Sequence, residues 1–230
     1  LHFDRWFKVC EYMGRPYASN LKHIAYGTYS MPTGKIGSRF GKQALVRDML
    51  DQAISKAHDI VTTRGTKVDD IDSLSKAIGV GCIVFGVLKS EKIKDSVFDM
   101  DAALNFEGET SPYMQYTHAR CCSILEKAGV SDISWSDSEL DSIDNVDTFE
   151  LVKHLNNFEK VVLDAAKNYE PCLISRYLLN LCSLFNKFYN SYRIIENDMV
   201  VTTRLAVVSV TKKVLCKGLK LLGIEPITKM

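Results

Sequence analysis

The chain has 230 residues, 46% of them hydrophobic, and a formal net charge of +1 at pH 7. That length and apolar content suffice for a sizeable core, in one large or two small domains, and exclude disorder as the default state. The charge is uneven: residues 131–150 carry seven acids and no Lys or Arg, whereas 151–230 hold twelve basic residues against six acidic ones, so an anionic partner for the C-terminal third stays open.

The seven cysteines form no Cys-x-x-Cys pair and have no histidine spacing suited to zinc. No metal site is expected, and they read as reduced, mostly buried thiols of a cytoplasmic protein. The longest apolar run, Ile78–Leu88, is far below the ~20 residues that a membrane-spanning helix needs, so no membrane partner is expected. The sequence starts at Leu1, already inside an amphipathic pattern, and reads as a piece of a longer protein.

Phe3, Trp6, Phe7, Cys10 and Met13 recur at helical intervals and Gly14 ends the run. Leu21–Met31, with Ile24, Tyr26, Thr28 and Tyr29, reads as a short strand or hairpin edge. The loop from Pro32 to Lys42 then sets three glycines among three cations, Lys35, Arg39 and Lys42. It is either a solvated basic turn or a loop that closes over phosphate.

Leu45–Val61 has the spacing of an amphipathic helix, closed by Arg64-Gly65. Asp69–Leu88 continues as helix, with a bend expected where Gly79, Gly81 and Gly86 weaken it. Asp95–Met100 reads as a short extended segment and Asp101–Phe106 as a helical turn before the Gly108 loop.

Ser111-Pro112 is a good start for the next helix, to Ala128, because serine can cap free N–H groups and proline is tolerated in the first turn. At about 100° per residue, Tyr113, Tyr116 and Arg120 share a side with Ser123 and Lys127, while Met114, Cys121, Leu125 and Ala128 fall on another. Pattern alone leaves two readings for this helix: a surface helix with half-buried aromatics, or a recognition face opposite a core face. The acidic, serine-rich stretch Ser131–Asp147 reads as an exposed linker anchored by Trp135.

Helices follow at Phe149–Phe158, Val161–Lys167 and Pro171–Tyr192, the last with an apolar stripe of Leu178, Leu181, Cys182, Phe185 and Phe188. A final helix is expected from Asp198 to Leu222, ended by Gly223. Lys213, Lys217 and Lys220 give it a cationic side, which on pattern alone is a solvated face.

Four stretches in order resemble the C-terminal part of the class I arginyl-tRNA synthetases, and together they cover nearly the whole chain. His2-Phe3-Asp4-Arg5-Trp6-Phe7 is similar to the family's His-Phe helix. Lys35-Ile36-Gly37-Ser38-Arg39 sits where the family has its Lys-Met-Ser-type signature, with Ile36 and Gly37 replacing the usual Met and Ser. Phe106-Glu107-Gly108-Glu109-Thr110-Ser111-Pro112-Tyr113 onward to Ala119-Arg120 resembles its most recognisable run, and Gly218-Leu219-Lys220-Leu221-Leu222-Gly223 onward to Met230 its ending.

The resemblance implies a mainly α chain: a helical-bundle anticodon-binding (DALR) domain over 106–230, preceded over 1–105 by the end of a Rossmann-type α/β catalytic domain. It implies that Lys35, Ser38 and Arg39 contact ATP during adenylate formation, stabilising charge on the departing pyrophosphate. No His-Ile-Gly-His-type signature occurs in these residues, so the chain alone is expected to be inactive and to need no cofactor. The full-length parent is expected to be a cytoplasmic, monomeric ligase using arginine, ATP with Mg2+, and arginine tRNA.

Unstacked anticodon bases are read by aromatic stacking, base-edge hydrogen bonds and cations on phosphate. Tyr113, Tyr116 and Arg120 offer most of that set; Gln115 could hydrogen-bond a base edge but projects from roughly the opposite side of the helix. The resemblance adds Tyr189, Tyr192 and Met230, and Arg204 and Lys213 could serve phosphate. Two rivals stay open at this point: a piece of a sister synthetase of the cysteinyl type, and a stand-alone helical RNA-binding module without catalysis.

Overall fold

The computed structural model describes residues 2–31, 34–35, 46–66, 68–129, 145–196 and 199–230. Its first part runs through α1 (His2–Tyr12), β1 (Tyr29–Met31), β2 (Gly34–Lys35), α2 (Val46–Thr63), α3 (Ile71–Leu88), β3 (Ser96–Val97) and α4 (Met100–Ala103). The three strands form one small sheet in the order β2-β1-β3, antiparallel between β1 and β2 and parallel between β1 and β3. The strand expected from Leu21 is shorter than its β-branched content suggested. Upstream of Tyr29 the backbone turns to the loop before β3, with Gly27 N–H donating to the Lys92 carbonyl at 2.7 Å, so no neighbouring strand is there to extend the ladder.

α2 and α3 pack as a close pair. α2 offers small residues to the contact, burying Ala53, Ala57 and Val61 one turn apart. α3 starts on Asp70, whose side chain accepts from Ser73 N–H at 2.9 Å, and it runs uninterrupted to Leu88. The glycines at which a bend is expected are points of close approach. A Cβ on Gly79 would lie 2.7 Å from the Ile54 backbone nitrogen, and one on Gly81 would lie 2.7 Å from Ser111 Oγ. These glycines are where neighbouring elements touch α3, which by length and composition would suffice to cross a membrane but spends its buried side chains, such as Leu74, Ile78, Cys82 and Phe85, on the two cores.

The second part is a bundle of α5 (Ser111–Lys127), α6 (Val146–Asn156), α7 (Phe158–Asn168), α8 (Cys172–Ser191) and α9 (Thr202–Leu221). A hairpin of β4 (Ile195–Glu196) and β5 (Met199–Val200) separates the last two helices. The hairpin displaces the expected start of the final helix from Asp198 to Thr202, because Val201 N–H is drawn back to the Ile194 carbonyl at 2.9 Å. The cap of α5 is Thr110, one residue before the expected serine, and its hydroxyl accepts from Tyr113 N–H at 3.3 Å. Gly223 ends α9 at φ +74°, in the left-handed region that favours glycine. The expected linker with its Trp135 anchor lies almost wholly outside the described residues.

The bundle core is built from Met114, Cys121 and Leu125 of α5 with Leu178, Leu181, Phe185 and Phe188 of α8 and Leu215 and Leu219 of α9. Each fully buried side chain of this kind contributes about 1.5–3 kcal/mol against exposure. The division expected along α5 thus holds on its apolar side. The first part is fastened to the bundle by an ion pair between Lys92 and Glu170 at 2.8 Å and by Ser175 Oγ, which donates to the Leu88 carbonyl at 2.9 Å.

Candidate nucleic-acid interface

α5 and α8 run side by side, and the polar side of α5 meets α8 across a line of hydrogen bonds. Tyr113, half-buried, accepts at its hydroxyl from Asn186 Nδ2 at 2.9 Å. The Asn186 oxygen in turn accepts from Arg120 Nη1 at 2.8 Å, and Arg120 Nη2 donates to the Tyr116 hydroxyl at 3.1 Å. The guanidinium carbon lies 4.8 Å from the Tyr116 ring centroid and 5.0 Å from that of Tyr189. Two aromatic faces and two hydrogen bonds hold this cation, so its rotamer freedom is already spent before any ligand arrives.

α8 positions the other aromatics by the same logic that builds the core. Phe185 and Phe188 are fully buried, and Tyr189 and Tyr192 each lie one turn further along, stacked or tilted against them at 6.3 and 5.9 Å. Arg204 of α9 closes from behind the hairpin, donating to the Arg193 carbonyl at 2.6 Å with its guanidinium 5.6 Å from the Tyr192 ring.

Between α5, α8 and the hairpin lies a groove of about 660 Å³. Tyr116, Arg120, Tyr189, Tyr192 and Met230 all line it, as do the cations Lys127 and Arg193. Among the described residues that line it there is no Asp or Glu side chain, so the side chains of Arg120, Lys127 and Arg193 favour an anion there, and the partly exposed Tyr116 and Tyr189 rings offer aromatic surface. A second cavity, of about 780 Å³ between α8 and the Gly108 loop, sets Lys89, Lys94 and Arg176 against Glu91, Glu107 and Glu109. There Glu91 is held below the usual carboxylate range by hydrogen bonds to Lys94 and Arg176, and the mixed charge gives no comparable attraction.

Five of the expected RNA contacts are therefore brought together, with Tyr113 and Arg204 bracing them from beneath and beside. Gln115 is a correction. It is fully buried, and its amide donates to the Ala77 carbonyl at 3.1 Å and the Glu225 carbonyl at 2.8 Å, so it has no donor left for a base. Lys213 is exposed on α9 and does not line the groove. Sequence reasoning missed Asn186 and Arg193. Asn186 sits one turn before Tyr189 and carries a signal only once α8 is known to face Arg120.

Of the loop candidates, the backbone of Lys35 is described, paired with Ser30 in the β1–β2 ladder. Ser38 and Arg39 lie outside the described residues. Among the described residues no three His, Cys, Asp or Glu side chains converge on a point that could hold a metal.

Residues 1–100 match the model of the class I (R) tRNA synthetase catalytic domain, and residues 114–230 match that of the DALR anticodon binding domain. The chain belongs to the arginyl-tRNA synthetase family. It is 40% identical to the arginine–tRNA ligase of Clostridioides difficile and 38% to that of Alkaliphilus metalliredigens, covering all of this chain and 40% of each relative. Among solved structures, the arginyl-tRNA synthetase of Thermus thermophilus superposes with a TM-score of 0.80 at 31% identity, over 93% of this chain and 36% of that one. The enzyme of Plasmodium falciparum superposes at 0.79 and 26% identity, over 100% and 39%. The chain thus spans about two fifths of the length of its curated relatives and corresponds to the C-terminal part of an arginyl-tRNA synthetase. The small β2-β1-β3 sheet with α2 and α3 falls within the catalytic-domain match, and α6 to α9 within the DALR match. A catalytic-domain match over 1–100 runs against the stand-alone module, and the arginine-specific relatives run against the cysteinyl alternative.

Proposed function

We propose that this chain binds arginine tRNA through its anticodon region, with the groove between α5 and α8 as the reading surface. The observation that carries the reading is Arg120, held against the Tyr116 and Tyr189 rings in a groove whose described lining has cations and no Asp or Glu side chain. Bases stack on the tyrosines, while Lys127 and Arg193, helped by Arg204 and Lys213, serve the phosphates. The full-length parent couples ATP-dependent activation of arginine to its transfer onto that tRNA, as a cytoplasmic monomer. Lys35, Ser38 and Arg39 contact ATP, which the full-length parent uses with Mg2+. The anticodon-binding unit begins at Phe106.

The test is binding of native and anticodon-substituted arginine tRNA across a salt series. Affinity is expected to fall with salt and with anticodon substitution; equal binding of the two RNAs ends the assignment of the groove. For the loop, Lys35→Ala in the full-length parent is expected to abolish arginine-dependent ATP/pyrophosphate exchange, and unchanged exchange removes Lys35 from the site.

A further inference from the structure

The opposite side of α5 does something the reading face depends on. After Gly223 the chain leaves α9 and runs back along α5 to Met230, and two buried α5 side chains hold its backbone. Gln115 donates to the Glu225 carbonyl at 2.8 Å and, with the same amide, to the Ala77 carbonyl of α3 at 3.1 Å. His118 lies 2.7 Å through Nδ1 from the Ile227 carbonyl. A carbonyl can only accept, so His118 carries its proton on Nδ1, and Nε2 is a buried lone pair with no hydrogen-bond partner among the described residues.

The surroundings are shaped for this contact. Ile224 and Ile227 are buried, 1% and 7% exposed, and a Cβ on Gly81 would lie 3.3 Å from both Gln115 Nε2 and Ile224 Cγ2. Beyond Ile227, Lys229 pairs with Glu126 of α5 at 3.5 Å. Met230 then packs on the core formed by α2, α3 and Ala119 while also lining the groove that holds Tyr116 and Arg120.

We infer that Gln115 and His118 are positioning residues for anticodon recognition: by clamping the Glu225–Ile227 backbone from the buried side of α5, they place Met230 as a wall of the groove on its exposed side. This rests on the proposed reading of the groove. One helix thereby sets both walls of the pocket, its own tyrosine and arginine directly and Met230 through the clamped segment. A base in the groove meets a fixed apolar wall, and a slack segment would leave that side open to water and to the wrong base.

The experiment measures, in the full-length protein, the ratio of affinities for native and anticodon-substituted arginine tRNA. The variants are His118→Phe, His118→Asn and Met230→Ala, each with a circular-dichroism melt. Phenylalanine keeps the ring and removes the donor; asparagine puts an amide N–H near the place of Nδ1–H. The ratio is expected to fall roughly tenfold for His118→Phe and for Met230→Ala, the loss of about one apolar or stacking contact to a base, and to be kept largely intact by His118→Asn. A merely structural histidine would change the melt and leave the ratio alone. A folded His118→Phe with an unchanged ratio overturns the clamp; if that variant does not fold, an unchanged ratio in Met230→Ala overturns it instead. If the unmodified protein itself shows no anticodon preference, the reading of the groove fails first, and that outcome is distinct from a preference that survives the variants.

Discussion

Asn186 and Arg120 are joined across the α5–α8 contact by a 2.8 Å hydrogen bond, and the same asparagine donates to the Tyr113 hydroxyl at 2.9 Å. One amide side chain thus uses its acceptor on the groove's central cation and a donor on a half-buried phenol. Replacing it with leucine removes both contacts and leaves the Arg120 guanidinium with Tyr116 and the two rings. Asn186→Leu is expected to keep the fold and to weaken binding of arginine tRNA by roughly tenfold, the scale of one charge-assisted hydrogen bond. A titration that gives an unchanged affinity removes Asn186 from the site.

Arg120→Lys keeps the charge but loses the planar fork that reaches Asn186 and Tyr116 together and lies against two aromatic faces. Binding is expected to fall while its salt dependence barely changes, because geometry is lost and charge is not. The slope of log affinity against log salt concentration separates the two.

The groove's rim cations act in the opposite way. Lys127 and Arg193 line the groove, and substitution of either by alanine is expected to reduce that slope by about 0.7–0.9, the value of one phosphate contact, with the anticodon preference retained. A changed preference with an unchanged slope would assign them to base edges instead.

Gly79→Ala is expected to destabilise the α2–α3 pair by about 1–3 kcal/mol, the cost of overpacking. The added methyl meets the backbone of Ala53 and Ile54 at 2.7–2.9 Å, and backbone cannot rotate aside. The urea midpoint reports the loss. Gly129→Ala tests the separate matter of a positive φ, since that glycine, at φ +67°, has no atom of the described residues within 4 Å of an added Cβ.

His118 and His154 are both held below the ordinary histidine range, first by burial, with their carbonyl partners Ile227 and Tyr177 acting weakly the other way. For His118 the nearby Lys212 and Lys220 lower it further. The unfolded chain takes up these protons near pH 6.5 while the folded chain does not. Stability is therefore fully present above about pH 6.5 and declines as pH falls towards the depressed folded values. Urea midpoints between pH 7.5 and 5.5 should drop, and His118→Asn, which has nothing to titrate, should flatten part of the drop.

Much of this protein follows from the order of its residues alone. The apolar spacing of α2, α5, α8 and α9 places those helices and most of their buried faces, because a 3.6-residue period needs no partner to be read. Tyr116 and Arg120 carry their own chemistry and could be named without coordinates, whereas Tyr189 and Tyr192 are named only through the family resemblance. Only the tertiary structure decided which of these side chains share a groove and which are spent inside. Gln115 and Arg120 are both polar residues of α5, yet Gln115 ends between Ala77 and Glu225 and Arg120 between two tyrosines. Helical spacing separates the two sides but cannot say that α3 and the Glu225–Ile227 segment cover one of them, or that Asn186 arrives at the other. Those partners come from residues 38 to 110 positions distant, and contacts of that range exist only once the chain has closed on itself.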